Sequence, residues 1–241
     1  MKERLISVLV YYFKIEKPTF IPAVSNQYFE SFVSELRNRL KEPLPGRTAQ
    51  IRMAPKPIDE NRFRENPMRP ARLGGVMILL YPDKGGVHIP LMKRPEYDGA
   101  HSGQVSFPGG KLEDVDTDLV DTALRETHEE IGVPKDNVEV LGSLSELFII
   151  ASNFKVLPTI GVVRNKPNFI PDPIEVADVL PMPLAALKDP ALRKVKEMKF
   201  PPYTIQSPYF DIHGEVVWGA TAMMLSEFSY VVDEIEAKLQ L

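Results

Sequence analysis

The chain has 241 residues, a mass of 27.2 kDa and 44% hydrophobic residues, which suits one large globular domain or one domain with an appended arm. It contains no cysteine, which excludes disulfides, zinc–thiolate sites and a cysteine nucleophile. Lys and Arg total 29 against 33 Asp and Glu, and this balance lacks the basic excess of a nucleic-acid binder. No apolar run approaches the ~20 residues of a membrane span. We therefore expect a cytoplasmic protein without membrane or nucleic-acid partners.

The first 71 residues predict an N-terminal arm, one helix and a proline-rich linker. The apolar stretch at 6–13 is short and is followed at once by charges, so it does not predict a secretion signal. A helix is expected from Ser25, a good N-cap residue, to about Lys41. Its apolar stripe at spacings of three and four consists of Phe29, Phe32, Val33, Leu36 and Leu40. Residues 47–70 are expected to be extended, and residues 24–56 either cover a sheet face or form a homodimer contact.

The core domain is expected to span residues 72–241 and to be an α/β fold with a mixed sheet. The apolar run 76–81 predicts a buried strand, and residues 87–93 predict a second strand that pairs back onto it. Pro90 favours an edge or a bulge in that second strand. The remaining predictions are a helix at 117–130, strands at 138–147, 154–163 and 175–180, a short helix at 183–187, a hairpin at 209–218 and a final helix at 219–239.

An acidic cluster near residue 130 carries the clearest chemical signal. On a helix, Glu126, Glu129 and Glu130 lie at roughly 0°, −60° and +40° and so share one face. Like charges at these spacings destabilise a helix by roughly 0.2–0.5 kcal/mol per pair. Gly132 suits the helix C-terminus, where the helix dipole is also negative. A bound cation explains this arrangement, and oxygen ligands favour Mg²⁺ or Mn²⁺.

A glycine loop precedes that helix. Gly109 and Gly110 follow Phe107-Pro108 and permit close backbone approach to a ligand. The acidic segment 113–118 connects this loop to the helix. Taken alone, the two glycines indicate a turn and the glutamates a solvated face, so it is their combination that predicts a site.

Together these segments resemble the Nudix box, G-x5-E-x7-R-E-U-x-E-E-x-G-U. The matching residues are Gly110, Arg125, Glu126, Glu129, Glu130, Gly132 and Val133. The spacing from Gly110 to Arg125 is one residue longer than the pattern, Asp116 takes the place of the upstream Glu, and Thr127 stands where an aliphatic residue is usual.

The longer loop is similar to that of the coenzyme A pyrophosphatase branch of this family. Three further segments resemble that branch: 91–110, which ends in His101-Ser-Gly-Gln-Val-Ser-Phe-Pro-Gly-Gly110, 122–126 and 218–222. Two positions depart from it, because Gly99 stands where the branch has a second arginine and Pro95 stands where it has a small residue. Lys93, Lys111 or a residue of the arm could replace that arginine.

The resemblance implies a Nudix-type α/β/α sandwich with an N-terminal helical extension. It also implies metal-dependent hydrolysis of the pyrophosphate bond of a nucleoside diphosphate derivative. With coenzyme A or an acyl-CoA the products would be 4′-phosphopantetheine and adenosine 3′,5′-bisphosphate. The alternatives are a Nudix hydrolase of ADP-ribose or dinucleotides, or a nucleotide-sensing Nudix module without turnover.

The resemblance also implies roles for individual residues. Glu126, Glu129, Glu130 and Gly110 would bind the metal, and Glu126 is either a ligand or the base that orients water. Arg125 would pair with a loop carboxylate such as Asp116. Substrate contacts are expected from Arg94, Gln104, Gly109 and Gly110, with His101 as a further candidate.

Outside the box, a further acidic ligand is expected from a later loop. Glu175 is the first candidate, because prolines stiffen the loop 171–175, and Asp172 and Glu146 are its competitors. His128 is expected on the helix surface, off the glutamate face. Three aromatic residues could stack on a base but are more often part of a core: Phe148, Phe154 and Tyr203.

Overall fold

The computed structural model describes residues 26–58, 65, 68–84, 86–96, 98, 102–200 and 202–239, excluding the side chains of Asn26 and Tyr203. The helices are α1 (Asn26–Arg39), α2 (Arg47–Gln50), α3 (Leu119–Ile131) and α4 (Gly219–Leu239). The strands are β1 (Arg72–Asp83), β2 (Gly86–Lys93), β3 (Val105–Ser106), β4 (Gly109–Lys111), β5 (Glu139–Ser143), β6 (Leu147–Ile149), β7 (Phe154–Val162), β8 (Asp178–Pro183), β9 (Arg193–Phe200), β10 (Tyr203–Ile212) and β11 (Glu215–Trp218). The apolar stretch at 6–13 lies outside the described residues.

Strand β1 is the centre of the fold and separates two hydrophobic clusters. Ile78 and Leu80 belong to the larger cluster, together with the buried faces of α1 and α4. Met77 and Leu79 belong to the second cluster, together with residues of α3. Because neighbouring side chains of a strand point to opposite faces, this division places helices on both sides of the sheet. The predicted α/β/α sandwich with an N-terminal helix is confirmed.

The main sheet is mixed, as the sequence predicts. Its strand order is β3-β2-β1-β7-β5, with β4 paired to β1, β6 to β7 and β8 to β2. β1 runs parallel to β7 and antiparallel to β2 and β4. The pairing of β4 with β1 places Gly110 opposite Gly75, which brings the glycine loop against the centre of the sheet beside α3. Pro90 lies where β2 has already left β1 and pairs with β8 instead.

Residues 26–54 share the main core instead of lying apart from it. Phe29, Phe32 and Leu36 of α1 are fully buried in the cluster that includes α4. Glu227 of α4 is also fully buried, and its carboxylate accepts hydrogen bonds from the backbone N–H of Gly46 at 3.0 Å and from the side chain of Gln50 at 2.8 Å. α1 therefore covers one face of the sheet, the first of the two roles expected for residues 24–56.

Three of the local predictions are wrong, and one strand is missed. The strand expected at 138–147 is interrupted, because β5 ends at Ser143 and β6 begins at Leu147, and between them the N–H of Ser145 bonds Glu227. Part of the expected extended linker at 47–70 forms α2 and a 3-10 turn, Ile51–Met53, because Glu227 fixes this segment through Gly46. The strand expected at 175–180 starts only at Asp178, because Asp172 holds the preceding residues in a turn. Strand β9 is not predicted, because most of its residues are charged, almost all are exposed, and apolar and polar residues do not alternate.

The C-terminal third confirms the predicted hairpin and final helix. β10 and β11 pair with Ile212 opposite Glu215, so the turn falls at His213-Gly214, and β9 pairs with the other edge of β10. Phe210 and Val217 point from this three-stranded sheet into the main core. In the described part of the chain, no helix combines the length and the apolar character that a membrane span requires.

Candidate active site

Helix α3 carries the acidic cluster and has well-defined ends. Its N-cap residue Asp118 accepts a hydrogen bond from the backbone N–H of Asp121 at 2.8 Å. Gly132 ends the helix with a φ of 73°, and its N–H bonds the carbonyl of His128. A positive φ at this position favours glycine. These ends hold the glutamates in the last two turns of α3.

All three glutamates line one cavity of about 300 Å³. Glu130 is almost completely buried, whereas 57% of the Glu129 side chain is exposed. Glu126 lies between these extremes, with 13% of its side chain exposed. The other lining residues are Arg94, Gly109, Gly110, Glu113, Arg125, Asp172 and Glu175. The exposure of the three carboxylates therefore increases from Glu130 through Glu126 to Glu129.

Glu130 is the buried carboxylate of this cavity. Its Oε2 accepts a hydrogen bond from the backbone N–H of Gly109 at 2.7 Å, and its Oε1 lies 3.8 Å from Nη2 of Arg94. Burial raises the pKa of the Glu130 carboxyl to about 8, although the Gly109 N–H and Arg94 act in the opposite direction. A buried carboxylate with so little compensation is stabilised by any cation that enters the cavity.

Arg125 ties the acidic loop to the helix. Its Nε donates to Oδ1 of Asp116 at 2.8 Å, and its Nη2 donates to Oδ2 at 3.0 Å. Its Nη1 lies 2.8 Å from Glu126 Oε1 and 2.9 Å from Glu129 Oε2. The bidentate guanidinium holds the pKa of the Asp116 carboxyl well below its usual range. The predicted pairing of Arg125 with Asp116 is present, and it fixes the longer loop against α3.

The donor set of this cavity fits Mg²⁺ or Mn²⁺. Its walls combine carboxylates with the backbone of Gly109 and Gly110, and such oxygen-rich sites favour these hard cations. Among the described residues, no three acidic or histidine side chains already form a closed ligand group. Arg125 accounts for part of this, because it holds Glu126 and Glu129 as its own counter-charges.

The family model described as NUDIX domain matches residues 71–198, which are more than half of the chain. The chain belongs to the Nudix family.

Relatives of known name agree with this assignment. Nudix hydrolase 15, mitochondrial, of Arabidopsis thaliana is 36% identical over 191 residues, which cover 77% of this chain and 65% of that protein. An uncharacterized Nudix hydrolase, NudL, of Pectobacterium atrosepticum is 33% identical, over 56% of this chain and 69% of that protein. The chain thus spans slightly less than two thirds of the Arabidopsis relative.

A solved Nudix hydrolase from M. Smegmatis, RenU, aligns with a TM-score of 0.46 at 14% identity, over 72% of this chain and 90% of that one. That similarity is too low to carry an argument about function.

The cavity of about 300 Å³ that the three glutamates line is called the Nudix cavity. Most of the residues that the sequence singles out line it. Arg94, Gly109 and Gly110 line it with the glutamates, and so do both Glu175 and Asp172. Glu146 does not line it and instead pairs with Lys155 at 2.9 Å. Asp172 accepts hydrogen bonds at Oδ1 from the N–H groups of residues 174 and 175, which leaves Glu175 as the loop carboxylate without a structural task of that kind.

The remaining candidates lie elsewhere. Gln104 lines a separate, larger cavity, and His128 is exposed as expected. Phe148 and Phe154 line neither cavity, and Phe154 packs beneath Arg72 with 4.2 Å from guanidinium to ring centre. Gly99, His101 and the side chain of Tyr203 lie outside the described residues.

Sequence reasoning did not single out several of the lining residues. Glu113 joins the Nudix cavity, and Lys196, Met198 and Trp218 line the larger one. The acidic run 113–118 contained the signal for Glu113. Trp218 begins the segment 218–222 that resembles the coenzyme A branch, but no local pattern identifies Lys196 and Met198, because they meet Trp218 only when β9 and β11 flank β10.

Proposed function

We propose that this chain is a divalent-metal-dependent pyrophosphohydrolase of nucleoside diphosphate derivatives, with coenzyme A or an acyl-CoA as the first substrate to test. The observation that carries this proposal is the cavity itself. Three glutamates from the end of α3 meet the Gly109–Gly110 backbone there, and the guanidinium of Arg94 lies on the same cavity. A cluster of cation-binding carboxylates beside a positively charged side chain is suited to binding a pyrophosphate.

The residues that would hold Mg²⁺ or Mn²⁺ are Glu126, Glu129, Glu130, the Gly110 carbonyl and Glu175. When bound, the cation neutralises phosphate oxygens and makes water more acidic. Arg94 contributes a guanidinium that can bind a phosphate oxygen, and Glu126 serves as a ligand or as the base that orients water. Arg125 positions the acidic loop through Asp116.

The substrate assignment rests on the segments that resemble the coenzyme A branch. The arginine missing at Gly99 needs a substitute if a further phosphate is bound. Lys93 is paired with Glu215 at 2.7 Å, so its charge is already partly balanced. Lys111 is exposed at the end of the glycine strand β4, which makes it the stronger candidate of the two.

A panel of coenzyme A, ADP-ribose, NADH and dinucleoside polyphosphates, assayed with Mg²⁺ or Mn²⁺, tests this proposal. We expect the highest kcat/KM for coenzyme A, with adenosine 3′,5′-bisphosphate as a product. A tenfold preference for ADP-ribose would move the chain out of the coenzyme A branch. Binding without turnover of any member would support the nucleotide-sensing alternative.

Glu130→Gln tests the site within the same assay. The glutamine Oε1 can still accept the Gly109 N–H, so we expect the fold to survive and kcat to fall by orders of magnitude. The rise in Tm that Mg²⁺ gives the wild type should be lost as well. His128→Gln, an exposed change on the same helix, is the matched control. Wild-type kcat in Glu130→Gln would remove this residue from the mechanism.

The division into a 1–71 arm and a 72–241 hydrolase domain remains a proposal, as do the homodimer contact and the cytoplasmic location. The burial of Phe29 and Phe32 against α4 supports treating α1 as an integral extension of the hydrolase domain.

A further inference from the structure

Strand β9 forms one edge of the three-stranded sheet. The strand order of that sheet is β11-β10-β9, and among the described residues only β10 pairs with β9. Almost every residue of β9 is exposed, including Val195 at 65% and Phe200 at 47%. An exposed edge strand presents unpaired backbone groups, to which a strand of another chain can add.

The bridge between Gln206 and Lys56 shows which backbone groups of β9 face that edge. Gln206 lies opposite Glu197, but its N–H donates to the Lys56 carbonyl at 3.1 Å and its carbonyl accepts from the Lys56 N–H at 2.8 Å. Opposite residues of an antiparallel ladder alternate between hydrogen-bonded and non-hydrogen-bonded pairs. Glu197 therefore directs its N–H and C=O away from β10, and so do Val195 and Lys199. No backbone group of another described residue bonds them.

The side chains of β9 divide between the two faces of the sheet. Lys196, Met198 and Phe200 share one face, and Glu197 and Lys199 share the other. Two copies of β9 that pair antiparallel are related by a twofold axis perpendicular to the sheet, so each face continues from one copy into the other. Only residues of the same face can then lie opposite each other.

One register of this pair places complementary side chains opposite each other. With the axis at Met198, Glu197 of each copy lies opposite the partner's Lys199, which gives two ion pairs. Lys196 lies opposite the partner's Phe200, as in a cation–π contact, and the two Met198 side chains meet at the axis. Opposite charges directly across two strands stabilise the pair.

The other registers bring like charges together. Moving the axis by one residue places Glu197 opposite itself in one direction and Lys199 opposite itself in the other. An axis at Lys196 places this lysine opposite itself, and an axis at Val195 places Lys194 opposite Lys196. Like charges directly opposite are destabilising, so the lysines of β9 oppose pairing in these registers and permit it with the axis at Met198.

We propose that the edge of β9 is a docking surface for a second copy of this chain, with the twofold axis at Met198 and one sheet that continues through both copies. This surface is distinct from residues 24–56, because α1 packs into the main core. β9 does not line the Nudix cavity, so the inference is independent of the proposed function. The overlap, residues 196–200, is short, and we therefore expect a weak dimer with a micromolar Kd.

A single cysteine tests the register, because the chain contains none. Met198 directs its backbone groups to β10, so the two copies of Met198 form a non-hydrogen-bonded pair, whose Cα atoms lie about 4.5 Å apart. This distance permits a disulfide. The two copies of Val195 would be offset by about six residues, or about 20 Å, so Val195→Cys is the matched control.

Oxidation of the full-length variants with copper phenanthroline, at micromolar protein, compares the two positions. Met198→Cys should form the crosslinked dimer about tenfold faster than Val195→Cys, because only its thiols meet within the dimer. Random collision would favour Val195→Cys instead, since Val195 is the more exposed position. Equal rates, or a faster reaction of Val195→Cys, would overturn the inference.

Charge reversal supplies a second test, read by sedimentation velocity of the full-length protein. Glu197→Lys and Lys199→Glu each turn two attractive pairs into two repulsive ones, so each variant alone should dimerise about 30-fold more weakly than the wild type. An equal mixture of the two variants restores both ion pairs and should form heterodimers with the wild-type Kd. A wild type that stays monomeric at every concentration, or a mixture that stays monomeric while the wild type dimerises, would overturn the inference. Neither test measures hydrolysis, so an inactive protein would reject the proposed function and leave this inference standing.

Discussion

We expect opposite effects when Gly109 or Gly110 of the glycine loop is changed to alanine. A Cβ at Gly110 would lie 2.3 Å from Oε1 and 2.5 Å from Cδ of Glu126. These atoms end a flexible side chain, which can move away by about 1 Å at little cost to the fold, but such a displacement of a reacting group costs roughly 100-fold in rate. We expect Gly110→Ala to lower kcat about 100-fold and to leave Tm nearly unchanged.

Gly109→Ala should instead damage the fold. A Cβ there would lie 2.5 Å from the carbonyl oxygen of Gly75 and 2.6 Å from Cα of Val76, and the φ of 155° is one that side chains rarely adopt. Overpacking costs about 1–3 kcal/mol and a strained backbone a similar amount. A central value of about 4 kcal/mol lowers the Tm of a domain of this size by about 12 °C.

Thermal unfolding and steady-state kinetics with Mg²⁺, on the best substrate of the panel, measure both effects. A double-mutant cycle isolates the cause: Gly110→Ala should add little to the loss already present in Glu126→Gln, because both act on the same carboxylate. Wild-type kcat in Gly110→Ala, or a Tm loss equal to that of Gly109→Ala, would refute the reasoning from these contacts.

Three further predictions follow from individual carboxylates. Asp116→Asn should lower the free energy of unfolding by about 3 kcal/mol, because buried Arg125 loses its bidentate partner and keeps only Glu126 and Glu129. Since the pKa of Asp116 is lowered by folding, the wild type should keep this advantage at pH 7 and lose it progressively as the pH falls below about 4, which urea titrations at several pH values would measure. Glu175→Gln should lower kcat at saturating Mg²⁺ and leave Tm unchanged. Asp172→Asn should instead lower Tm, because it weakens two backbone hydrogen bonds. Wild-type kinetics in Glu175→Gln, together with a large loss of kcat in Asp172→Asn, would assign the role of metal ligand to Asp172. Glu227→Leu should destabilise the protein by about 3 kcal/mol or more, because buried N–H donors lose their acceptor, while the kcat of the folded fraction stays normal; unchanged urea stability would contradict the role of this residue as a clamp.

The sequence already determines the features that depend on short spacings. Glu126, Glu129 and Glu130 share a face because a helix turns every 3.6 residues, and Gly132 ends that helix because it readily adopts a positive φ. Arg125 and Asp116 are nine residues apart, close enough for the family pattern to suggest their pairing. The apolar run of β1 likewise predicts a buried strand.

Only the tertiary structure decides how that acidic face is used. The environment of buried Glu130 depends on Gly109 and Arg94, which come from distant segments with no periodic relation to α3. The free edge of β9 is another such feature, because apolar and polar residues do not alternate in this strand and it becomes an edge only by pairing with β10. Local spacing determines which side chains share a face, whereas their burial, their charge environment and their partners depend on chain segments that only folding brings together.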